Sequence, residues 1–416
     1  MSEAPPTRVA PRQAALLVAF MWVAYFLNYS DRQAAFAMFP AFRVDLAMSD
    51  RQLGLVGSMF LWVYAFGCPI AGQLGDRFSK RLLVVLSLAV WSVVTIATGL
   101  ATSATMLLAL RATMGISESL YMPMAISLTA NAHPPALRSR AISVLTTAQI
   151  AGTVVGSWFG GWMADRGQWR WAFFALGGIG VLYALPYFLF LRTIDERPPS
   201  DAEAPRSGFA VQALVKSPTF LLLCAVFPIF VFGLWLLYGW LPSFLHDKFS
   251  LSQGEAAFNA TVFLQGATLV GMLGGGVAAD RLYLRTKTAR LWLLVASFVL
   301  CAPCLHALGN SESLAGTRVA AAAFGLFAGL LMGNIFPAAF EVVPVDTRAS
   351  AVGVLNFCGG MMSGVATLFG GLWKATLGID RLLSLTGLAY FAAGVALIVG
   401  IRVLFPRALP HRHVPD

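Results

Sequence analysis

Long apolar stretches run along almost the whole chain, and short polar segments separate them. Each stretch has about 20 residues, which at roughly 1.5 Å per helical residue is enough to cross the hydrocarbon core of a bilayer. The pattern therefore predicts twelve transmembrane helices. Their predicted starts are near Leu16, Arg51, Leu82, Thr105, Ala141, Ala172, Thr219, Ala256, Leu291, Arg318, Ala351 and Leu382.

The longest polar interruption separates two groups of six predicted helices. It is rich in Pro, Asp, Glu and Ser, which is typical of a linker. We expect a cytoplasmic N-terminal tail over 1–15, a six-helix bundle over 16–191, a cytoplasmic linker over 192–217, a second six-helix bundle over 218–403 and a cytoplasmic C-terminal tail over 404–416.

Two pairs of similar segments indicate that the halves are internal repeats. GQLGDR from Gly72 matches GVAADR from Gly276, and LRSRAISVL from Leu137 matches TRASAVGVL from Thr347. The two pairs have nearly the same separation along the chain, as expected for repeats related by an axis along the membrane normal. A solute site between the two halves is the expected consequence.

Composition and charge support a membrane protein. Hydrophobic residues make up 58% of the 416 residues and charged residues only 12%, so there is more apolar surface than a soluble protein of this length buries. The formal net charge is +10, and the lysines and arginines are concentrated in the segments on the side of the N-terminus. The positive-inside rule then predicts a multi-pass protein of a bacterial inner membrane with both termini cytoplasmic. The expected partner is the lipid bilayer, with no nucleic acid.

Four charged residues fall deep within apolar stretches: Asp31 and Arg32 in helix 1, and Arg111 and Glu118 in helix 4. An ionised side chain at the bilayer centre costs about 2.5–3.5 kcal/mol even on the lenient insertion scale, so these four need partners. Arg111 and Glu118 lie nearly two turns apart, which predicts crossed pairs of Asp31 with Arg111 and Arg32 with Glu118.

These pairs allow two interpretations. They can be static salt bridges that join helices 1 and 4. Alternatively, an organic anion competes for a guanidinium and frees an acid to accept a proton, which makes Asp31 and Glu118 candidate proton-coupling residues. Arginine suits the second interpretation because its planar fork meets a carboxylate at two points.

Uncharged polar and aromatic residues in the predicted spans are candidates for contacting the rest of a solute. In the C-terminal half, every polar residue that we expect to be buried is uncharged. Interhelical hydrogen bonding is the alternative role for them. The predicted substrate-binding residues are Arg32, Arg111, Tyr29, Tyr121, Gln149, Trp235, Tyr238, Gln265, Asn334 and Asn356.

The polar run GQLGDRFSKR joins helices 2 and 3 and is a candidate gate. Asp76 lies at a helix end where it can pair with a following basic residue, and Gly72 and Gly75 allow close helix approach. A solvated basic loop that serves only orientation is the alternative. The predicted gating residues are Gly72, Asp76, Arg77, Lys80, Arg81, Asp280 and Arg281.

The GQLGDRFSKR run resembles the signature loop of the major facilitator superfamily. NYSDRQ from Asn28 and RATMGISESLYMP from Arg111 resemble the paired signatures of its anion:cation symporter family, and YGWLPSFL from Tyr238 resembles that family's helix 7 end. The chain departs from the family at Ser119 and Leu120, where Ala-Gly is usual, and Ser157 follows Gly156 where proton-coupled exporters usually have Gly-Pro.

This resemblance implies the major facilitator fold, an all-α membrane protein whose twelve transmembrane helices form two pseudo-symmetric six-helix bundles. It also implies a secondary active transporter that moves a small organic anion, such as a sugar acid or other carboxylate, by alternating access as a proton symporter.

Several alternatives accompany this expectation. A spinster-like transporter of lysolipid or another amphipathic solute fits the same fold, since spinster members also carry Asp-Arg in helix 1 and Glu in helix 4. Sodium is an alternative coupling ion. An enzyme is not expected, because no nucleophile–base pair, metal-ligand spacing or phosphate-binding loop is present. We expect no cofactor and no metal, and a monomer.

Overall fold

The computed structural model describes residues 9–194, 214–284, 286, 288–344 and 347–404. Helices dominate these residues, and none of them lies in a β-strand. The first eight helices are α1 (Pro11–Ala37), α2 (Phe39–Asp45), α3 (Asp50–Arg77), α4 (Lys80–Gly99), α5 (Ala104–Ser119), α6 (Tyr121–Ala132), α7 (Pro135–Ala164) and α8 (Trp169–Leu191). They are followed by α9 (Pro218–Phe249), α10 (Gln253–Tyr283), α11 (Ala289–Asn310), α12 (Leu314–Val342), α13 (Arg348–Leu377) and α14 (Ile379–Val403).

Eleven helices in the described part of the chain are long and apolar enough to cross a membrane. The twelfth predicted span is present as two shorter helices, α5 and α6, which meet at Leu120. Pro123 explains the interruption, because its ring cannot donate a hydrogen bond to the carbonyl of Ser119 and clashes with it. The all-α architecture and the twelve-span pattern predicted from the sequence are confirmed.

Serine side chains begin several of the helices. Ser49 forms a capping box at the start of α3. Its hydroxyl accepts from the backbone N–H of Gln52 at 3.3 Å, and its own backbone N–H donates to Gln52 Oε1 at 2.9 Å. Ser103 caps α5 by accepting from the Met106 amide at 3.2 Å. These caps satisfy helix-end donors in the short connections, and so they set where each span starts.

The described chain divides into two compact units. The first contains the described residues within Met1–Ala204 and Leu245–Phe258, and the second contains those within Pro205–Phe244 and Asn259–Asp416. In the first unit, α1 packs along α7, α3 along α5 and α4 along α8. In the second unit, α11 packs against both α12 and α14. The bundle and tail boundaries given above stay predictions. Residues 1–8 of the N-terminal tail, 195–213 of the linker and 405–416 of the C-terminal tail lie outside the described residues.

Glycines allow α7 to lie directly against the backbone of α1. A Cβ atom added at Gly152 would stand 2.6 Å from the Phe26 carbonyl oxygen, and one added at Gly160 would stand 2.7 Å from the Ala34 Cα. At Gly156 it would overlap the backbone of Ser30. Small residues give this close approach between membrane helices, where van der Waals contact replaces the hydrophobic drive.

The same kind of contact recurs in the second unit. Gly115 of α5 approaches the Phe60 carbonyl of α3, and Gly325 of α12 approaches the Leu264 carbonyl of α10. Gly325 follows Gly115 at the separation found between the LRSRAISVL and TRASAVGVL segments. The internal repeat therefore appears in the packing of each unit as well as in the sequence.

We predict that Gly156→Ala destabilises the protein, because the added methyl group has no room against Ser30. Overpacking of this kind costs about 1–3 kcal/mol of unfolding free energy. Gly178→Ala is the matched control, since no atom lies within 4 Å of a Cβ at that position. The measurement is thermal unfolding of both variants in detergent. Equal melting temperatures for the two would contradict the packing described here.

Candidate functional site

Four ionisable side chains are buried in the first unit. Asp31 and Arg32 of α1 are 2% and 3% exposed, and Arg111 and Glu118 of α5 are 0% and 1% exposed. No other Asp, Glu, Lys or Arg whose side chain the structure describes is so deeply buried. The prediction that these four charges lie inside the bundle is confirmed, and their burial makes their partners the main feature of the site.

Arg32 and Glu118 form an ion pair that joins α1 to α5. Arg32 Nη2 donates to Glu118 Oε2 at 2.6 Å and to Asn28 Oδ1 at 3.2 Å. Glu118 Oε1 and Arg32 Nε are buried, and neither has a hydrogen-bond partner among the residues described. The pair is thus held at one point rather than by the two-point fork that arginine can offer a carboxylate.

Aromatic rings surround the Arg32 guanidinium. Its Cζ atom lies 4.4 Å from the ring centroid of Tyr29, 4.5 Å from that of Phe60 and 5.1 Å from that of Tyr64. A cation over a ring face gains about 2 kcal/mol when both are desolvated. The rings therefore stabilise the charge of Arg32 inside the bundle.

Asp31 and Arg111 do not form the direct pair that the sequence predicted, and that prediction is wrong for this structure. Asp31 Oδ2 accepts from the Thr95 hydroxyl of α4 at 2.7 Å, and Oδ1 has no partner within the described chain. Arg111 instead contacts Met114 Sδ at 3.3 Å and the Arg32 carbonyl at 3.5 Å. The physical reason is that Thr95 offers Asp31 a nearer donor on a third helix.

Both the acids and the arginines of this four-residue network therefore have unused hydrogen-bonding groups. Asp31 and Glu118 each keep one buried oxygen without a donor, and Arg32 and Arg111 each keep a buried Nε without an acceptor. Buried polar groups are normally hydrogen-bonded, and a partly satisfied network in a low-dielectric interior is costly. Such an arrangement can accept an additional anion or change its pairing.

Three predicted substrate residues of the first unit have different roles. Tyr29 stacks on Arg32, as described above. Tyr121 donates its hydroxyl to the Met21 carbonyl at 2.8 Å, which joins α6 to α1. Gln149 of α7 accepts a hydrogen bond from Tyr25 at 3.3 Å. Tyr29 thus lies directly at the charged site, while the hydroxyl of Tyr121 is engaged in a contact between helices.

The predicted residues of the second unit lie on four of its helices, α9, α10, α12 and α13. Trp235 and Tyr238 of α9 contact edge to face, with ring centroids 5.6 Å apart. Gln265 of α10 is buried, with no hydrogen-bond partner for Nε2 in the described structure. Asn334 of α12 donates to the Leu330 carbonyl of its own helix at 2.9 Å.

Asn356 was predicted to be buried, and this is wrong, because it is exposed on α13. Its neighbour Leu355 is 0% exposed. Adjacent helical residues point about 100° apart, so Asn356 lies to the side of the buried face.

The predicted gate in the first unit is only partly described. Arg81 donates to the Leu191 carbonyl at 3.4 Å and to the Ile194 carbonyl, which ties the start of α4 to the end of α8. A Cβ at Gly72 would face open space, so the expected close helix approach at Gly72 is not present, whereas Gly75 faces the Met124 side chain. The Asp76 side chain lies outside the described residues, and the roles of Asp76, Arg77 and Lys80 stay predictions.

The corresponding segment of the second unit has an ion-pair cluster. Arg290 Nη2 lies 3.1 Å from Asp280 Oδ1, and Arg290 Nη1 lies 2.5 Å from Glu341 Oε1. The predicted gate includes Asp280 and Arg281 but neither Arg290 nor Glu341. Arg290 lies at the start of α11 and Glu341 at the end of α12, so only the fold brings them to Asp280.

The match to a known family covers most of the chain. The family model of the Major Facilitator Superfamily matches residues 21–367. The chain belongs to the Major Facilitator Superfamily. It is accordingly a multi-pass membrane transporter and not an enzyme. The similarity includes both segments that carry the four buried charges.

Individual relatives of this transporter include proteins named for organic anions. The hexuronate transporter of Bacillus subtilis (strain 168) is 27% identical over 405 residues, with 93% of each chain covered. The probable sulfoacetate transporter SauU of Cupriavidus necator is 32% identical over 293 residues, which are 66% of this chain and 67% of that protein. The sequence resemblance to the organic-anion branch of the superfamily is thus supported by relatives found across the chain.

Spinster proteins are also similar. Protein spinster homolog 1 of Homo sapiens is 30% identical over 66% of this chain and 55% of its own length. A crystal structure of a bacterial homolog to the human lysosomal transporter spinster, in an inward-facing and unoccupied conformation, aligns with a TM-score of 0.77 and 21% identity over 96% of both chains. That likeness shows the shared fold.

Several residues of the transporter's charged site were missed by sequence reasoning. Phe60 and Tyr64 contact Arg32, and Thr95 contacts Asp31. Each lies in an apolar stretch, where its residue type is typical of a packed membrane helix. Charges stand out in a membrane span because they are rare there, whereas aromatic residues and threonines do not. The helix packing was needed to find them.

Proposed function

We propose that this chain is a secondary active transporter that carries a small organic anion, a sugar acid or another carboxylate, by alternating access as a proton symporter. We place it in the bacterial inner membrane with both termini cytoplasmic, as the distribution of lysine and arginine favours. The observation that carries the proposal is the buried Arg32–Glu118 pair, which is held by one hydrogen bond and has unfilled positions on both partners.

The substrate class follows from what Arg32 can bind. Glu118 and Asn28 both accept from Nη2 of the guanidinium, and Nε has no acceptor among the described residues. A substrate carboxylate that reaches Nε together with a terminal nitrogen can form the two-point contact that Glu118 does not make. Arg111 adds a second buried positive charge nearby. The hexuronate and sulfoacetate transporters among the relatives carry organic anions by name, which supports the same class.

Proton coupling follows from the displaced acid. When a substrate carboxylate takes the place of Glu118 on Arg32, Glu118 loses its countercharge in a site where both its oxygens are shielded from solvent. A buried carboxylate without a partner is too costly to remain ionised, so it binds a proton. Asp31, which has a single neutral donor in Thr95, is the second acid that can take part.

The coupling works in both directions. Anion and proton enter together, because each makes the binding of the other more favourable. When the anion leaves on the cytoplasmic side, Glu118 returns to Arg32 and releases its proton. The proton gradient then drives net accumulation of the anion. Sodium can replace the proton in this scheme only if it is held beside the same two carboxylates.

A spinster-like transporter of lysolipid or another amphipathic solute is the second candidate. The 30% identity to human spinster homolog 1 and the shared fold with a bacterial spinster homolog favour it. Uptake assays distinguish the two, because a lysolipid carrier needs no short carboxylate. Proteoliposomes that take up lysophospholipid and none of a panel of carboxylates would support the spinster-like function instead.

We predict that Arg32→Lys lowers the uptake of the transported carboxylate by about tenfold or more. A lysine keeps the charge but lacks the fork, and losing a charged hydrogen bond costs about 1.5–3 kcal/mol. The measurement is initial uptake of radiolabelled glucuronate and related acids into proteoliposomes with an imposed pH gradient. Arg43→Lys is the control, because Arg43 pairs with Asp50 where both are partly exposed. Uptake by Arg32→Lys equal to that of the control would contradict the proposed contact.

We predict that Glu118→Gln abolishes uphill uptake but retains exchange of labelled for unlabelled anion. An amide resembles the protonated acid and cannot release a proton inside, whereas exchange needs no net proton movement. The same assay applies to Asp31→Asn, with the exposed Glu312→Gln as control.

A purely structural pair predicts a different pattern. Removing one partner of a buried ion pair costs about 3–5 kcal/mol of stability, so uptake, exchange and melting temperature would fall together. Stable amide variants that both still concentrate the anion would exclude Glu118 and Asp31 as coupling residues.

A further inference from the structure

Gln33 is a fully buried side chain whose hydrogen-bonding groups are all unused. It follows Arg32 in α1 and is 0% exposed. Neither Nε2 nor Oε1 has a hydrogen-bond partner among the residues that the structure describes. A primary amide offers two donors and an acceptor, and buried groups of this kind are nearly always paired. Its position inside a membrane bundle therefore points to an occupant that can hydrogen-bond to it.

Two hydroxyl groups on the facing helix are in the same condition. Thr153 and Ser157 of α7 are 0% and 1% exposed, and their hydroxyl oxygens have no partner in the described chain. Serine and threonine in these helices commonly donate to a carbonyl one turn back, as Ser30 does to Phe26 and Thr98 does to Val94. Thr153 and Ser157 do not, so their hydroxyls are available.

The packing of α1 on α7 brings Gln33 and Ser157 to one level of the bundle, and Thr153 lies one turn earlier on α7. Gly156 lies against Ser30 and Gly160 against Ala34, so Ser157 is level with the turn of α1 that precedes Gln33. Helical side chains tilt towards the N-terminus, which directs Gln33 back towards that turn. Gln33 and Ser157 therefore lie on helices in direct contact, at matching heights.

This polar group is next to the anion-binding arginine. Gln33 is four residues after Tyr29, so both lie on one face of α1, and the Tyr29 ring stands 4.4 Å from the Arg32 guanidinium. Tyr29 contacts Arg32 and shares a helix face with Gln33, so a carboxylate bound to Arg32 can extend along Tyr29 towards the Gln33 amide. Polar substituents on those carbons could use the unfilled donors and acceptor.

We propose that Gln33, together with Ser157 and Thr153, forms a subsite that binds hydroxyl groups of the transported anion. The inference rests on the proposed function and narrows it, since the substrate class becomes hydroxylated carboxylates. A site built to hydrogen-bond a hydroxyl group rejects analogues that lack it, because its own polar groups are then left unpaired. The competing explanation is a resident water, which would give no such selectivity.

The test compares ligand discrimination by the purified full-length protein. Binding of glucuronate, gluconate and lactate is measured, each beside an analogue that lacks one hydroxyl group. The variants are Gln33→Met, which keeps the length of the side chain, and Ser157→Ala. Thr98→Val is the matched control, because Thr98 is equally buried but satisfied by its own helix. Thermal unfolding shows whether each variant is folded. If Gln33→Met does not fold, the result for Ser157→Ala decides the test.

The wild type is expected to prefer at least one hydroxylated acid over its analogue by about tenfold or more. Gln33→Met and Ser157→Ala should reduce that preference several-fold by weakening the hydroxylated acid alone, and the control should retain it. Folded variants with unchanged discrimination, or a wild type that binds the analogues equally well, would overturn the subsite and leave the proposed function intact. A wild type that binds no carboxylate at all would contradict the proposed function itself.

Discussion

A charge inside an apolar helix bundle must have a partner, and this constraint governs the first unit. Arg32 and Glu118 meet at 2.6 Å with almost no solvent exposure. Glycine contacts hold α1 against α7 and α5 against α3, and the ion pair joins these two pairs of helices. The aromatic rings of α1 and α3 then enclose the guanidinium. Packing and charge pairing thus depend on one another.

The pairing is incomplete, and function follows from that. A structural salt bridge is most stable when every donor and acceptor is used, yet both acids and both arginines here retain unfilled positions. An arginine held at one point can exchange one carboxylate for another with little rearrangement. In the proposed mechanism, the substrate completes the hydrogen bonding of Arg32 while Glu118 becomes the proton carrier. Gln33 then binds hydroxyl groups of the substrate.

The spans and the burial of the four charges are well predicted from the sequence, because both follow from the contrast between apolar and charged residues. The length of an apolar stretch defines a span, and a charged residue within it is easily recognised. Arg32 with Glu118 was predictable from helix geometry, whereas Asp31 with Arg111 failed because Thr95 of a third helix is the nearer donor. The exposure of Asn356 was also missed, since it depends on the rotation of α13. Roles of residues that carry no charge needed the packing of several helices.

The most direct test of the central claim is proton uptake when an organic anion binds to the purified protein in weakly buffered solution. We expect wild-type protein to remove about one proton from solution for each anion bound, because binding at Arg32 frees Glu118 to be protonated. We expect no such uptake for Glu118→Gln, even where the anion still binds. Anion binding to the wild type without proton uptake, or equal uptake by Glu118→Gln, would contradict proton coupling through Glu118.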